Sequence, residues 1–189
     1  MESDFNGEYF KGRSIESKHL IEVLQWITDL NIQGKVLDVG CSLVPARVYA
    51  GRELYNKDFY GLDLSYPILN NTLGYGRDIL IIASILNIPF DKGEFDIVIC
   101  YDVLEHMNNA EEVEKAMKEL KRVCSKYVLI SIPVIGDPNL LKDKTHHIKK
   151  TKEWWINKSR NNIGNILEVP KYWLFKEQLI LIEVKHESK

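Results

Sequence analysis

The fold of this chain is decided by residues 34–42, Gly-Lys-Val-Leu-Asp-Val-Gly-Cys-Ser. Three apolar residues, Val36, Leu37 and Val39, form a short run that stops at Gly40. An apolar run of this length is typical of a parallel strand that is buried on both faces. Glycine at its end predicts a turn at which the backbone can approach a ligand closely.

A second apolar run, residues 59–64, carries an acid near its end, Asp63. In an open α/β sheet, ligands bind beyond the carboxyl ends of the strands. The Asp63 carboxylate is suited to accept hydrogen bonds from the hydroxyls of a ribose. Together with Gly40, this acid predicts an adenosine-containing cofactor at the strand ends.

The remaining segments continue an alternation of strands and helices. We expect strands at 36–39, 59–64, 79–85, 95–101, 127–135, 165–169 and 178–184. Helices are expected to begin near Ser14 and Pro45 and to span 109–124 and 153–161. An irregular crossover at 66–77 and a polar loop at 136–151 complete the predicted elements. This order predicts a three-layer, doubly wound α/β fold with a mostly parallel sheet of about seven strands. The last two strands are joined by a link without a helix, so we expect them to be antiparallel.

Length and composition indicate one soluble domain. The 189 residues suffice for a single well-buried core, so we expect one domain over 1–189 with an irregular N-terminal arm at 1–13. No apolar run approaches the roughly 18 residues of a membrane span. The acidic N-terminus lacks an apolar signal core, and three cysteines without metal-type spacing indicate reduced thiols. We therefore expect a cytoplasmic protein.

The charge of the chain is uneven. A formal net charge of −2 argues against general nucleic-acid binding, but residues 142–160 carry a local charge of +5, which leaves −7 for the rest. Exposed lysines are common, so this stretch could be a solvated face. Alternatively, it attracts an anionic substrate.

Four segments resemble, in order and spacing, the class I S-adenosylmethionine-dependent methyltransferases of the small single-domain type. They are Val-Leu-Asp-Val-Gly-Cys-Ser at 36–42, Gly-Leu-Asp-Leu-Ser at 61–65, Ile-Pro-Phe-Asp at 88–91 leading into 95–98, and Asp-Val-Leu-Glu-His at 102–106. The resemblance implies a Rossmann-like methyltransferase fold. It also implies S-adenosylmethionine as the cofactor and S-adenosylhomocysteine as the product.

The resemblance also assigns cofactor-binding roles to individual residues. In the first motif, Asp38 would fix the amino group of the cofactor, and Gly40, Cys41 and Ser42 would form the loop against its methionine part. The other implied residues are Asp63 for the ribose hydroxyls, Leu64 for the adenine face, Ser84 and Ile85 for the adenine edge, and the carbonyls of Cys100 and Tyr101 for the ammonium group.

Three positions depart from the family pattern. The first motif commonly has glycines where this chain has Ser42 and Val44, and valine does not adopt positive φ easily. Ser84 stands where the family often has an acid. These changes are compatible with weaker cofactor binding or with a non-catalytic member of the family.

The segment Asp143-Lys-Thr-His-His147, followed by Trp154 and Trp155, also resembles family members, and it follows the fifth predicted strand. Histidine changes charge near neutral pH, so His146 is our candidate general base on a hydroxyl, with His147 as the second choice. His106 is the other catalytic candidate, although it could simply pack near the sulfur of the cofactor. Residues 136–163 would then lie on the acceptor side, facing a small-molecule or sugar acceptor. No Asp or His has firm metal-ligand spacing, so we expect no metal.

Two other functions are compatible with parts of the pattern. A strand, a glycine and an acid also suit an NAD-dependent oxidoreductase, but the residues after Gly40 break the G-x-G-x-x-G spacing. The second alternative is an inactive subunit that binds the cofactor and supports another enzyme.

Overall fold

The computed structural model describes residues 26, 28–29, 31, 34–41, 58–64, 80–172 and 178–186. These residues form seven strands, three helices and one turn of 3₁₀ helix at Leu104–His106. The elements are β1 (Val36–Val39), β2 (Phe59–Asp63), β3 (Leu80–Ile82), β4 (Phe95–Tyr101), α1 (Ala110–Val123), β5 (Cys124–Ser131), α2 (Pro138–Lys142), α3 (Lys152–Asn162), β6 (Gly164–Leu167) and β7 (Leu179–Val184).

The seven strands form one sheet in the order β3-β2-β1-β4-β5-β7-β6. Strands β1 to β5 pair in parallel, whereas β7 is antiparallel to both β5 and β6. The expected mostly parallel α/β sheet and its antiparallel C-terminal pair are therefore confirmed. The strand order reverses direction between β1 and β4, and this is where an open α/β sheet forms its ligand crevice.

The core lies on both faces of the sheet, as the alternation of side chains along β4 shows. Val98 and Cys100 pack with the apolar stripe of α1, while Ile97 and Ile99 pack on the opposite face with Trp26. The α1 stripe consists of Val113, Met117, Leu120 and their neighbours, all fully buried. Burial on both faces explains why the central strands have continuous apolar runs.

Helix α1 begins where its sequence predicts and also anchors the loop before β4. Asn109 caps the helix, because its side-chain oxygen accepts a hydrogen bond from the Glu112 N–H. Near the other end, the Arg122 guanidinium donates to the carbonyls of Phe90 and Ile88, each at 2.6 Å. These bonds fix the Ile-Pro-Phe segment of the third motif against the helix.

The third strand is shorter than predicted. Its expected range was 79–85, but β3 spans only Leu80–Ile82. A turn follows, in which the Asn87 N–H donates to the carbonyl of Ser84 and the Leu86 N–H donates to the Ser84 hydroxyl. Serine competes for local backbone bonds in this way, and that ends the strand.

The fifth strand begins and ends earlier than predicted. The expected range was 127–135, but β5 starts at Cys124 directly after α1 and ends at Ser131. Pro133 lacks an N–H, which explains the early end of pairing. The predicted loop at 136–151 also contains a short helix, α2. The other strand and helix predictions that fall on described residues agree with the structure to within two residues.

The first predicted helix lies mostly outside the described residues, as do the second helix and the 66–77 crossover. Of the first helix, Trp26, Thr28 and Asp29 are described and helical. Trp26 is buried and stacks on Tyr101, with ring centroids 6.1 Å apart. Among the described helices, none has both the length and the apolar character that crossing a membrane requires.

Candidate active site

The carboxyl ends of β1, β2 and β4 meet at one edge of the sheet. Val39 is paired with Leu62 of β2 on one side and with Cys100 of β4 on the other. Asp63 of β2 is paired with Ile82 of β3. This register places the predicted cofactor residues of all four strands along one crevice.

Gly40 makes the turn that ends β1. Its φ is +73°, and its N–H donates to the carbonyl of Leu62 at 2.7 Å, as does the N–H of Cys41 at 3.1 Å. A Cβ atom on Gly40 would lie 2.3 Å from Cγ2 of Val103. Both the backbone conformation and the space therefore require glycine here. Ser42 and Val44 lie outside the described residues.

We expect Gly40→Ala to lower the free energy of unfolding by about 2–4 kcal/mol, because positive φ and overpacking against Val103 each carry a cost. Gly136→Ala is the matched control, since Gly136 also has a positive φ but no atom within 4 Å of its added Cβ. Denaturant unfolding of both variants measures the difference. Equal losses would show that the Val103 contact contributes nothing.

Two acids at the strand ends occupy different environments. Asp38 is only 1% exposed in the centre of the sheet, while Asp63, the last residue of β2, is half-buried. The carbonyl of Asp63 accepts a hydrogen bond from the Ala83 N–H, so its backbone is held independently of its side chain. Leu64 follows it and is half-buried.

The remaining predicted cofactor residues lie at the ends of β3 and β4. Ser84 and Ile85 form the turn after β3, and Ile85 is buried. Cys100 is fully buried, and burial together with the carboxylates of Glu105, Asp38 and Asp102 raises the pKa of its thiol well above the usual value. The carboxylate of β1 (Asp38) and the two carboxylates after β4 (Asp102 and Glu105) thus all lie near enough to the end of β4 to affect the Cys100 thiol.

A second cluster lies beyond β4, around the turn Leu104–His106. The N–H groups of His147 and Ile148 both donate to the carbonyl of Glu105 at 2.9 Å. These two bonds hold the segment after α2 against the turn. His106 and His146 are thereby brought together, with ring centroids 4.8 Å apart, although they are 40 residues apart in sequence.

Both histidines are oriented by bonds at Nδ1. The Nδ1 atom of His106 is 3.0 Å from the carbonyl and 3.0 Å from the hydroxyl of Thr145, and Nδ1 of His146 is 3.2 Å from the carbonyl of Leu140. A carbonyl can only accept, so Nδ1 carries a proton in each ring, and in the neutral ring Nε2 is the atom with the lone pair. Nε2 of His146 faces Glu105 and Asp143, at 3.9 Å and 4.0 Å.

Glu105 is the residue that sequence analysis missed. It lies within the fourth motif, but we assigned it no role. Its side chain is 0% exposed. Burial, and then the negative charge of Asp102, raise the pKa of its carboxyl well above the usual value, with a smaller contribution from Asp143. The available signal was an acid placed directly before His106 in a turn that follows a buried strand.

Asp102 marks the exit from β4 with a positive φ of 51°. Its N–H donates to the carbonyl of Ser131, and its carboxylate accepts from the Ser131 hydroxyl at 3.2 Å. Strained non-glycine residues that are held by several bonds are concentrated at functional sites. These bonds connect the end of β4 to the end of β5 directly before the Glu105 turn.

A parallel α/β sheet whose carboxyl strand ends meet at β1, β2 and β4 is compatible with an enzyme that binds a nucleoside-containing cofactor. The model of the methyltransferase domain family matches residues 37–131, and this chain belongs to that family. S-adenosylmethionine is accordingly its cofactor.

Individual relatives match parts of this chain. An uncharacterized protein of Methanocaldococcus jannaschii is 33% identical over 113 residues, which are 58% of this chain and 44% of that protein. The tRNA (carboxymethyluridine(34)-5-O)-methyltransferase of Arabidopsis thaliana is 30% identical over 102 residues, 52% of this chain and 25% of that protein. The chain thus spans less than half the length of these relatives.

A solved structure shows the same fold. The SAM-dependent methyltransferase of Archaeoglobus fulgidus superposes with a TM-score of 0.72 at 13% identity, covering 94% of this chain and 100% of the other.

The described residues fit the cofactor. Gly40 leaves its turn without a side chain, and Asp63 presents a half-buried carboxylate at the end of the neighbouring strand. The Ser84 hydroxyl already accepts one hydrogen bond from Leu86 but keeps a second lone pair, so it can still accept from an amino group.

Proposed function

We propose that this protein transfers the methyl group of S-adenosylmethionine to a hydroxyl of a small-molecule or glycan acceptor. The observation that carries the proposal is the buried group of Glu105, His106 and His146 beside the cofactor crevice. A hydroxyl is a poor nucleophile until its proton is removed. Acid and imidazole side chains at this position supply the means to remove it.

The cofactor supplies an electrophilic methyl group on a sulfonium, and the protein holds and orients it. We propose that Asp63 binds the ribose hydroxyls, that Leu64, Ser84 and Ile85 contact the adenine, and that Asp38, Gly40 and Cys41 face the methionine part. The carbonyls of Cys100 and Tyr101 would accept from its ammonium group. Alignment of the acceptor with the methyl group and exclusion of water account for much of the rate in such a reaction.

In this proposal His146 would act on the acceptor. Because its Nδ1–H is bound by Leu140, Nε2 is the atom that would take a proton. In its ionised form Glu105, with a carboxylate oxygen 3.9 Å from that nitrogen, would stabilise the imidazolium by charge attraction. Asp143 lies 4.0 Å from the same nitrogen and adds to this stabilisation.

The acceptor would approach from the segment that follows β5, within the predicted acceptor-side range 136–163. The part of this range before α3 supports the proposal, since the backbone N–H groups of His147 and Ile148 donate hydrogen bonds to the carbonyl of Glu105. The second half, α3, packs on the core through Trp155, and its Lys158 is bonded to Glu114 of α1. Lys158 is therefore engaged within the protein, whereas Lys149 and Lys150, before α3, are exposed.

A methyl-transfer assay with labelled donor tests the proposal. Cell extract would be separated into small-molecule, glycan and RNA fractions, the last because the Arabidopsis relative is named for a tRNA substrate. Label in a small-molecule or glycan product is the expected result. Label in RNA alone would contradict the acceptor class, and donor binding without any turnover would favour the inactive-subunit alternative.

The three cysteines are buried thiols, which suits the cytoplasm that we propose as the location.

We expect Lys149→Glu/Lys150→Glu to raise the KM for an anionic acceptor, and to do so more at low salt than at high salt. Both lysines are exposed, and the carbonyl of Lys150 accepts from the Ile135 N–H just beyond β5. The pair thus lies at the carboxyl edge of the sheet. Steady-state kinetics at two ionic strengths measure the effect.

The matched control is Lys92→Glu/Lys185→Glu, which changes the net charge equally. Both of these lysines are exposed; Lys92 precedes β4 and Lys185 follows the antiparallel β7, so they lie at the opposite edge of the sheet. An equal rise in KM for the two double variants would show an effect of net charge alone. No change in either would identify residues 142–160 as a solvated face.

A further inference from the structure

Glu105, His106 and His146 form a compact group of potential metal ligands. One ligand atom from each side chain lies within 4.8 Å of the others. Among the described residues, this is the group of three His, Cys, Asp or Glu side chains close enough to hold a metal ion. Atoms bound to one tetrahedral ion with bonds of about 2.0–2.2 Å are about 3.3–3.6 Å apart. Side-chain rotations that move the atoms by less than about 1 Å would therefore bring all three onto an ion.

Glu105 provides a second, independent observation. Within the described chain, neither of its fully buried carboxylate oxygens accepts a hydrogen bond from another residue. A buried carboxylate is costly unless it is paired, bonded or bound to a metal. Two further acids, Asp102 and Asp143, act on it with the same charge. The environment thus favours a cation at this position.

The histidines have the orientation that metal ligands require. A ligating imidazole usually donates its other N–H to a carbonyl or carboxylate, which fixes the tautomer and aims the lone pair. Nδ1 of His106 is bonded at Thr145, and Nδ1 of His146 is bonded at Leu140. Thr145 is itself held, because its hydroxyl and its N–H both donate to Asp143 at 2.6 Å and 2.9 Å.

We propose that Glu105, His106 and His146 bind a divalent first-row transition metal ion such as Mn²⁺, Co²⁺ or Zn²⁺. Two imidazoles and a carboxylate suit these ions better than Mg²⁺ or Ca²⁺, which prefer oxygen ligands alone. Asp143 and Asp102 are close enough to Glu105 for their negative charges to favour a cation at the site. The sequence did not indicate this site, because its ligands come from two segments 40 residues apart.

Three protein ligands leave coordination positions open. If the proposed function holds, an acceptor hydroxyl would take one of them, and the ion would lower the pKa of that hydroxyl. His146 would then act as a ligand, and the proton would leave to another base or to solvent. An acceptor with a second oxygen beside the methylated hydroxyl would bind best, since it could occupy two positions.

Metal binding is tested without donor or acceptor, so its outcome does not depend on the proposed function. Protein without a histidine tag, freed of metal by a chelator and dialysed, is titrated with Co²⁺ and followed by visible absorption, and with Zn²⁺ by calorimetry. We expect one equivalent of either ion to bind and the melting temperature to rise with its concentration. Glu105→Gln and His146→Gln should each weaken binding at least about tenfold.

The matched controls are His147→Gln and Glu111→Gln. His147 is exposed and adjoins His146, and Glu111 is an exposed acid on α1, so neither change should alter the affinity. Melting curves in chelator establish that each variant is folded. The rise of the wild-type melting temperature with metal concentration is a test of metal binding that does not depend on any variant. Absence of saturable binding, or equal affinity in wild type and both ligand variants, would overturn the site. Glu105 would then be a buried acid that carries its own proton.

A methylation assay with and without chelator then separates the two proposals. Metal binding at this group without methylation of any acceptor would leave the metal site standing and contradict the proposed function. Methylation that survives complete removal of the ion at full rate would contradict the role of the metal in the reaction.

Discussion

His146→Ala should lower kcat for methyl transfer about 10²–10⁴-fold, while the affinity for S-adenosylmethionine stays unchanged. The change removes Nε2, which faces Glu105 at 3.9 Å, and with it the group that lowers the barrier for loss of the hydroxyl proton. The loss is expected whether His146 accepts the proton itself or helps to hold a metal ion that would lower the pKa of the acceptor hydroxyl. Single-turnover kinetics with the identified acceptor, and calorimetry with S-adenosylhomocysteine, measure the two quantities separately.

His147→Ala is the control for this prediction. The side chain of His147 is exposed, and its tie to the Glu105 turn is made by its backbone N–H, which alanine keeps. We expect its kcat to match wild type. A large loss in His147→Ala and none in His146→Ala would move the base to the neighbouring residue, and equal activity in both would place it elsewhere in the protein.

Asp63→Ala should weaken binding of the methyl donor by about 1.5–3 kcal/mol, the range for hydrogen bonds to a charged group, or about 10- to 150-fold in Kd. The half-buried carboxylate ends β2 beside the Gly40 turn, where it would accept from both ribose hydroxyls. Calorimetry with S-adenosylmethionine and S-adenosylhomocysteine should show the same loss for both, because both carry the same ribose.

Asp58→Ala is the matched control for Asp63. It changes an exposed aspartate directly before the same strand, at the opposite edge of the sheet, and leaves its carbonyl to accept from the Val36 N–H. Its donor affinity should equal that of wild type. If a folded Asp63→Ala variant also binds both ligands as wild type does, the acid is not the ribose ligand.

The positions of the strands and the direction of their pairing could be predicted because the relevant signals are local. Val36, Leu37 and Val39 are a short apolar run typical of a strand covered on both faces, and Gly40 ends it with the positive φ that the structure confirms. The antiparallel end of the sheet followed in the same way, from a link without a helix. The ends of strands were less predictable, because competing local bonds such as those of Ser84 decide them.

The sequence by itself determined the α/β fold, its mostly parallel sheet and the edge of the sheet at which Gly40 and Asp63 lie. Only the tertiary structure decided what surrounds Glu105. Two backbone bonds from His147 and Ile148 bring a segment 40 residues distant onto the Leu104–His106 turn, and His146 comes with it. No periodicity or spacing encodes such a contact, because it depends on the path of the chain after β5 and on the burial that removes water from the Glu105 carboxylate.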